Sequence, residues 1–84
     1  MVSLVIVRNK EDRMLISKWV ESKFTKGIWS SENCVEGTVK IIEGDHFSIF
    51  DPNGMSLDVG VAFPTFEDAA KRLESIFTWE FKLP

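Results

Sequence analysis

The side chains that could carry chemistry in this sequence are few, and they stand apart. His46 is the single histidine and Cys34 the single cysteine of the 84 residues. Imidazole is the side chain whose ordinary pKa lies near neutrality, which makes His46 the natural general acid or base. It directly follows Gly44-Asp45, however, and a polar pair with Glu43 across that turn accounts for it structurally. Cys34 could serve as a nucleophile only with a base beside it, and no local signature supplies one. One thiol also excludes an intramolecular disulfide and a cysteine-based zinc site.

Asp51, Asn53, Ser56 and Asp58 have the oxygens of a calcium loop, but Gly54 comes too early for one. Ala62 stands where the closing glutamate belongs. The glycines at 27, 37, 44, 54 and 60 are scattered, so there is neither a dinucleotide fingerprint nor a phosphate-cradling loop. The pattern implies no metal and no cofactor, and the chain reads as non-enzymatic.

The aromatic residues say more. Three Trp and seven Phe exceed what a core of this size obviously needs, and exposed aromatics are the usual anchors of protein interfaces. Trp29 falls in Gly27 to Gly37, the longest irregular stretch. Phe50, Val39 and Ile41 fall on an otherwise polar sheet face. With the acidic Glu43, Asp45 and Asp58, these residues form the expected protein interface.

The elements that must position them centre on Thr38 to Phe77, which reads as three antiparallel strands and an amphipathic helix. Gly44-Asp45 has the composition of a two-residue hairpin turn, and Asp51-Pro52-Asn53-Gly54 that of a type I turn closed by a left-handed glycine. A tight first turn pairs Glu43 with His46, Ile42 with Phe47 and Lys40 with Ile49. The second pairs Asp51 with Met55, Ile49 with Leu57 and Phe47 with Val59. One face then collects Ile42, Phe47, Ile49, Met55, Leu57, Val59 and Val61 as the buried side.

Thr65 with Asp68 resembles a capping box. Phe66, Ala69, Ala70, Leu73, Ile76 and Phe77 share a helical stripe, opposite the pairs Glu67/Lys71 and Asp68/Arg72. Trp79, Phe81 and Leu83 alternate with Glu80 and Lys82 as a final edge strand, and Val2 to Val7 reads as a buried first strand. Residues 9 to 26 admit two readings. One is a helix capped by Asn9 and stopped at Lys26-Gly27. The other is a hairpin that returns Arg13 to Val20 beside the first strand.

The fold class is α+β, residues 1–84 forming a single domain. An antiparallel sheet of four to five strands packs against one or two helices. The helix reading gives a ferredoxin-like βαββαβ variant, and the hairpin reading an antiparallel meander plus C-terminal helix. Hydrophobic content of 44% and charged content of 27% are those of a folded globular chain. No run is long enough to span a bilayer and the N-terminus lacks a signal-peptide pattern, so the expected location is cytoplasmic.

The net charge of −3 is unevenly spread: residues 1–40 hold seven Lys/Arg against five Asp/Glu, and residues 41–84 hold three against eight. The expected function is a non-catalytic protein-binding module. Its partner is expected to be basic, as for an acidic, virus-encoded or regulatory inhibitor of a nucleic-acid-handling protein. Two alternatives belong to other classes: a homodimeric ligand-binding regulatory domain joined through the Trp79 to Leu83 edge, and weak nucleic-acid binding through the Arg8 to Lys26 face. Glu11, Asp12 and Glu21, interleaved with the cations, disfavour the second, so that direct contact with nucleic acid is not expected.

Overall fold

Five short strands succeed one another and each pairs with the next. The computed structural model describes the backbone of residues 3–6 and 15–82 and the side chains of residues 15–80. The strands are β1 (Ser3–Ile6), β2 (Trp19–Glu21), β3 (Ile28–Ser31), β4 (Lys40–Glu43), β5 (Phe47–Phe50) and β6 (Ser56–Leu57). A helix, α1 (Phe66–Ile76), and a last strand, β7 (Trp79–Lys82), follow. Strands β2 to β6 form an antiparallel sheet in chain order, and β1 pairs with β7 in a separate two-stranded ribbon. The fold is therefore α+β, and it is the antiparallel meander with a C-terminal helix.

The ferredoxin-like order is overturned at Leu15 to Val20. Residues 15–18 are irregular and lead straight into β2, so no helix occupies residues 15–26. The hairpin reading is corrected as well, because β2 pairs with β3 (Trp19 opposite Ser31) and not with β1. Tertiary pairing has overridden helical spacing here. The expected cap at Asn9 lies outside the described residues.

The first hairpin holds the main correction. Glu43 lies opposite Phe47, Ile42 opposite Ser48, Ile41 opposite Ile49 and Lys40 opposite Phe50. Residues 44–46 form the loop, with the Gly44 N–H donating to the His46 carbonyl at 2.9 Å, and Gly44 is absent from the positive-φ positions that a primed two-residue turn would need. One extra loop residue turns β4 over. Val39 and Ile41, expected on the exposed face, are fully buried, and Ile42 moves to the outer face.

The second turn follows expectation. Gly54 is left-handed at φ 84°, the Asp51 N–H donates to the Met55 carbonyl at 2.9 Å, and the Asp51 carboxylate accepts from the Asn53 and Met55 amides. Ile49 meets Leu57. Phe47, however, bridges to Phe63 rather than Val59. Residues 58–62 are thus an excursion from the edge of the sheet between two paired positions. Met55, Val59 and Val61, expected inside, are 65%, 83% and 50% exposed.

Thr65 caps α1 by accepting from the Asp68 amide at 3.1 Å, and Glu67 pairs with Lys71 at 3.3 Å. The helix buries Ala69, Ala70 and Leu73 against Val39, Ile41, Ile49 and Trp79. Full burial of each large aliphatic here contributes about 1.5–3 kcal/mol. Ile76, placed on the apolar stripe by its spacing, is 43% exposed, and Glu74 is buried in the stripe instead.

Strand β7 is flanked on both sides. Trp79 pairs with Ile6 of β1 and bridges to Cys34, with the Val35 amide donating to Thr78 O and the Glu80 amide to Asn33 O, each at 2.9 Å. The free edge expected for a dimer is therefore occupied at Trp79 and Glu80. Leu83, the end of that expected edge, lies outside the described residues.

Candidate interaction surfaces

The aromatic side chains sort themselves by sheet face. Phe66, the first residue of α1, sits at the centre of a cluster. Its ring lies 5.1 Å from Trp29, 5.8 Å from Trp19 and 6.1 Å from Phe47, all in edge-to-face geometry. Trp79 joins through Trp19 at 6.1 Å. Edge-to-face pairs of this kind are each worth about 0.5–1.5 kcal/mol beyond their burial. Trp29, expected in a loop and free for a partner, is thus a β3 residue packed under the helix. The irregular stretch begins only after Ser31.

A buried polar relay borders this cluster. Glu74 is 2% exposed. Its Oε2 accepts from the Ile16 amide at 2.8 Å, the Ser17 amide at 2.8 Å and the Ser17 hydroxyl. The Trp19 indole N–H donates to Ser17 Oγ at 2.9 Å. Oε1 is buried with no hydrogen-bond partner among the described residues. Sequence reasoning missed this group, although Glu74 stands four residues after Ala70 and three before Phe77, in the middle of the apolar stripe.

The candidates for chemistry stay separated. His46 is exposed in the β4–β5 loop, while Cys34 lies in the β3–β4 connection, at the other end of the meander. Cys34 is half-buried, its Sγ 3.8 Å from Glu36 Oε1, and burial pushes its thiol pKa up. For the Glu36 carboxyl, partial burial acts upward, but hydrogen bonds led by the Thr78 amide at 2.9 Å outweigh it and hold the pKa below the ordinary value. Among the described residues no three His, Cys, Asp or Glu side chains converge as a metal site would require.

Two surfaces remain among the described residues. The first is the excursion 58–62. Asp58 adopts φ 49°, a left-handed conformation that Asp tolerates better than most residues. Arg72 of α1 grips its carboxylate, Nε to Oδ2 at 2.7 Å and Nη2 to Oδ1 at 3.5 Å, and this pairing raises the Arg72 pKa. The Val61 amide donates to Asp58 O at 2.9 Å. Asp58 therefore pins the loop that displays Val59 and Val61. Glu43 and Asp45 are exposed around the β4–β5 loop.

The second surface is the sheet face turned away from α1. Register places Val20, Ser30, Lys40, Phe50 and Ser56 in one cross-strand row and Ile28, Ile42 and Ser48 in the next. Of the expected interface residues, Phe50 keeps its place on the open face and is half-buried. The basic residues Arg8, Lys10 and Arg13 of the expected nucleic-acid face lie outside the described residues.

Compared with protein-family models, with curated proteins and with solved structures, the chain matches none of them.

Proposed function

We propose that this protein is a non-catalytic protein-binding module that docks through the excursion 58–62. The observation that carries the reading is that Val59 and Val61 are 83% and 50% exposed, with Met55 at 65% on the adjoining turn, while their loop is fixed by the Arg72–Asp58 pair. A small domain has little to gain from leaving aliphatic side chains in water on a loop that its own contacts hold in place, unless a partner covers them. A loop ordered before binding also spares the entropy of ordering it at the interface.

The surroundings favour a basic partner. Glu67 and Asp68 are exposed in the first turn of the same helix that supplies Arg72, and residues 41–84 hold eight Asp/Glu against three Lys/Arg. This is the charge balance of a regulator or inhibitor that occupies the cationic surface of a nucleic-acid-handling protein, and the encounter is proposed to take place in the cytoplasm. Among the described residues no helix is long and apolar enough to cross a membrane.

The test is capture from lysate of the native host with tagged parent and with a Val59→Ser/Val61→Ser variant, washed at low and high salt. A stoichiometric protein held by the parent, lost from the variant and released by salt supports the reading. Equal capture by both proteins removes the loop from the interface, and recovery of the tagged chain alone removes the module.

A further inference from the structure

The open face of the sheet has a composition unlike the rest of this acidic chain. No Asp or Glu occupies an outward position of β2 to β6. Glu21 and Glu43 have the inward parity, opposite Trp29 and Phe47, and Asp51, next to Phe50, turns its carboxylate into its own turn. The face presents Val20, Ser30, Lys40, Phe50 and Ser56 in one row, the half-buried Phe50 directly opposite the exposed Lys40, and Ile28, Ile42 and Ser48 in the next. Directly opposed side chains on an antiparallel pair stand about 4.5–5.5 Å apart at Cβ. A planar ring and a cation are thus held side by side on a rigid surface, among hydroxyls that can donate or accept.

A second basic and aromatic element borders the face at β2–β3. Phe24 is 98% exposed at the tip of this loop, between the exposed Lys23 and Lys26. The loop is ordered without any help from the Phe24 ring. Ser22 Oγ accepts from the Phe24 and Thr25 amides, both at 3.2 Å. Gly27, at φ 87°, donates to Glu21 Oε2 at 3.1 Å, and its carbonyl accepts from the Glu43 amide at 2.7 Å. A phenylalanine held in water by a loop that does not need it is available for stacking.

We infer that the open face of β2 to β6, with the Lys23-Phe24-Thr25-Lys26 tip at its border, binds single-stranded nucleic acid. Bases stack on Phe50 and Phe24, and Lys40, Lys23 and Lys26 meet the phosphates. Every base has a π-face, so stacking on aromatics beside a cationic track binds unpaired strands with little regard to sequence. Duplexes hide those faces. Lys40 on the face and Lys23 and Lys26 at the tip supply the charge complementarity, beside the carboxylates of Glu21, which braces the tip, and Glu43.

The experiment is fluorescence anisotropy of a labelled oligothymidylate and an oligouridylate of about 12 nucleotides, within the usual span of such platforms. Heparin and a blunt duplex serve as probes that lack accessible bases. Saturable binding at low salt, weaker for heparin and duplex, is the expected result. Phe50→Leu and Phe24→Ser should each weaken it about five-fold or more. Lys40→Glu should weaken it further and flatten the dependence of log K on log salt by about 0.7. Ser30→Glu, which puts a carboxylate on the face without touching the core, should weaken it as Lys40→Glu does, and urea denaturation confirms that each variant is folded. No anisotropy change up to about 100 μM protein, where affinities weaker than about −5.5 kcal/mol go unseen, overturns the proposal. So does binding that heparin matches and the two Phe variants leave unchanged.

Discussion

Replacing Glu74 by Leu tests whether its carboxylate holds the meander's first strand to the helix or is merely tolerated. In the parent, one oxygen takes three donors from Ile16 and Ser17, residues that lead directly into β2. Hydrogen bonds to a charged group are worth about 1.5–3 kcal/mol each, and a buried donor left without an acceptor costs about 1–3 kcal/mol. Against this stands the several kcal/mol that burying an ion costs, made worse by an Oε1 with no partner among the described residues. Ile16 is only partly buried, so water can replace its lost acceptor. Ser17, 7% exposed, has no such replacement. The balance for Glu74→Leu is a net loss of about 2–4 kcal/mol, which at about 4–8 °C per kcal/mol for a domain of this size lowers Tm by at least about 8 °C. Glu74→Gln keeps an acceptor oxygen over the donors and should cost only about 1–2 kcal/mol. Urea denaturation with an unchanged m-value is the assay. A Leu variant as stable as the parent would refute the reasoning. So would a double-mutant cycle with Ser17→Ala giving a coupling below about 0.5 kcal/mol, since groups in one network couple by more than that.

Other expectations follow from local geometry. Gly37→Ala should destabilise by about 1–3 kcal/mol, because φ is 143° and the new Cβ would stand 2.9 Å from Pro52 Cβ. Gly54→Ala meets nothing within 4 Å and should cost only the backbone strain of about 1 kcal/mol; equal losses at the two sites would discredit the clash. The Glu36 carboxyl has a lowered pKa in the fold, so its contribution is present above the ordinary carboxyl value of about 4.3 and fades as pH falls below it. Glu36→Gln should therefore make the acid limb of the stability curve shallower, and an unchanged limb would show that the Thr78 hydrogen bond contributes nothing. Cys34, its thiol pKa raised by burial, should react with iodoacetamide at pH 8.5 more slowly in the folded protein than in urea. Equal rates would mean that the thiol is not protected.

Where the sequence was legible, a side-chain requirement named the backbone. Asp51-Pro52-Asn53-Gly54 could close one turn only, and it fixed Ile49 opposite Leu57. Thr65 with Asp68 marked the start of α1 to the residue. Gly44-Asp45 was compatible with two loop lengths. Because Val39 and Ile41 have one parity and Ile42 the other, the apolar pattern of β4 could not choose between them, and a single residue of loop decided which side was core. Trp19 and Trp29 show a different limit. Each lies in a short strand whose identity comes from partners far along the chain, Ser31 and Ile41 across the sheet and Phe66 above it, and no local window contains them. The excursion 58–62 was hidden for the same reason, since Val59 and Val61 alternate as strand residues do and only Phe63 taking the place opposite Phe47 ejects them. Glu74 was visible in principle as a charge inside an apolar stripe.

The pairing of β1 with β7 also sets an order in time. Ser3 lies opposite Lys82, the most sequence-distant contact among the described pairs, whereas β2 to β6 pair only with near neighbours and α1 follows them at once. Loop-closure entropy must be met before such a contact rewards the chain, and non-local pairings are the slow ones. The meander and its helix can come together while β1 waits for β7, which follows them in the chain. The ribbon is therefore expected to close last, and proteases should find residues 3–6 open when the meander is already protected.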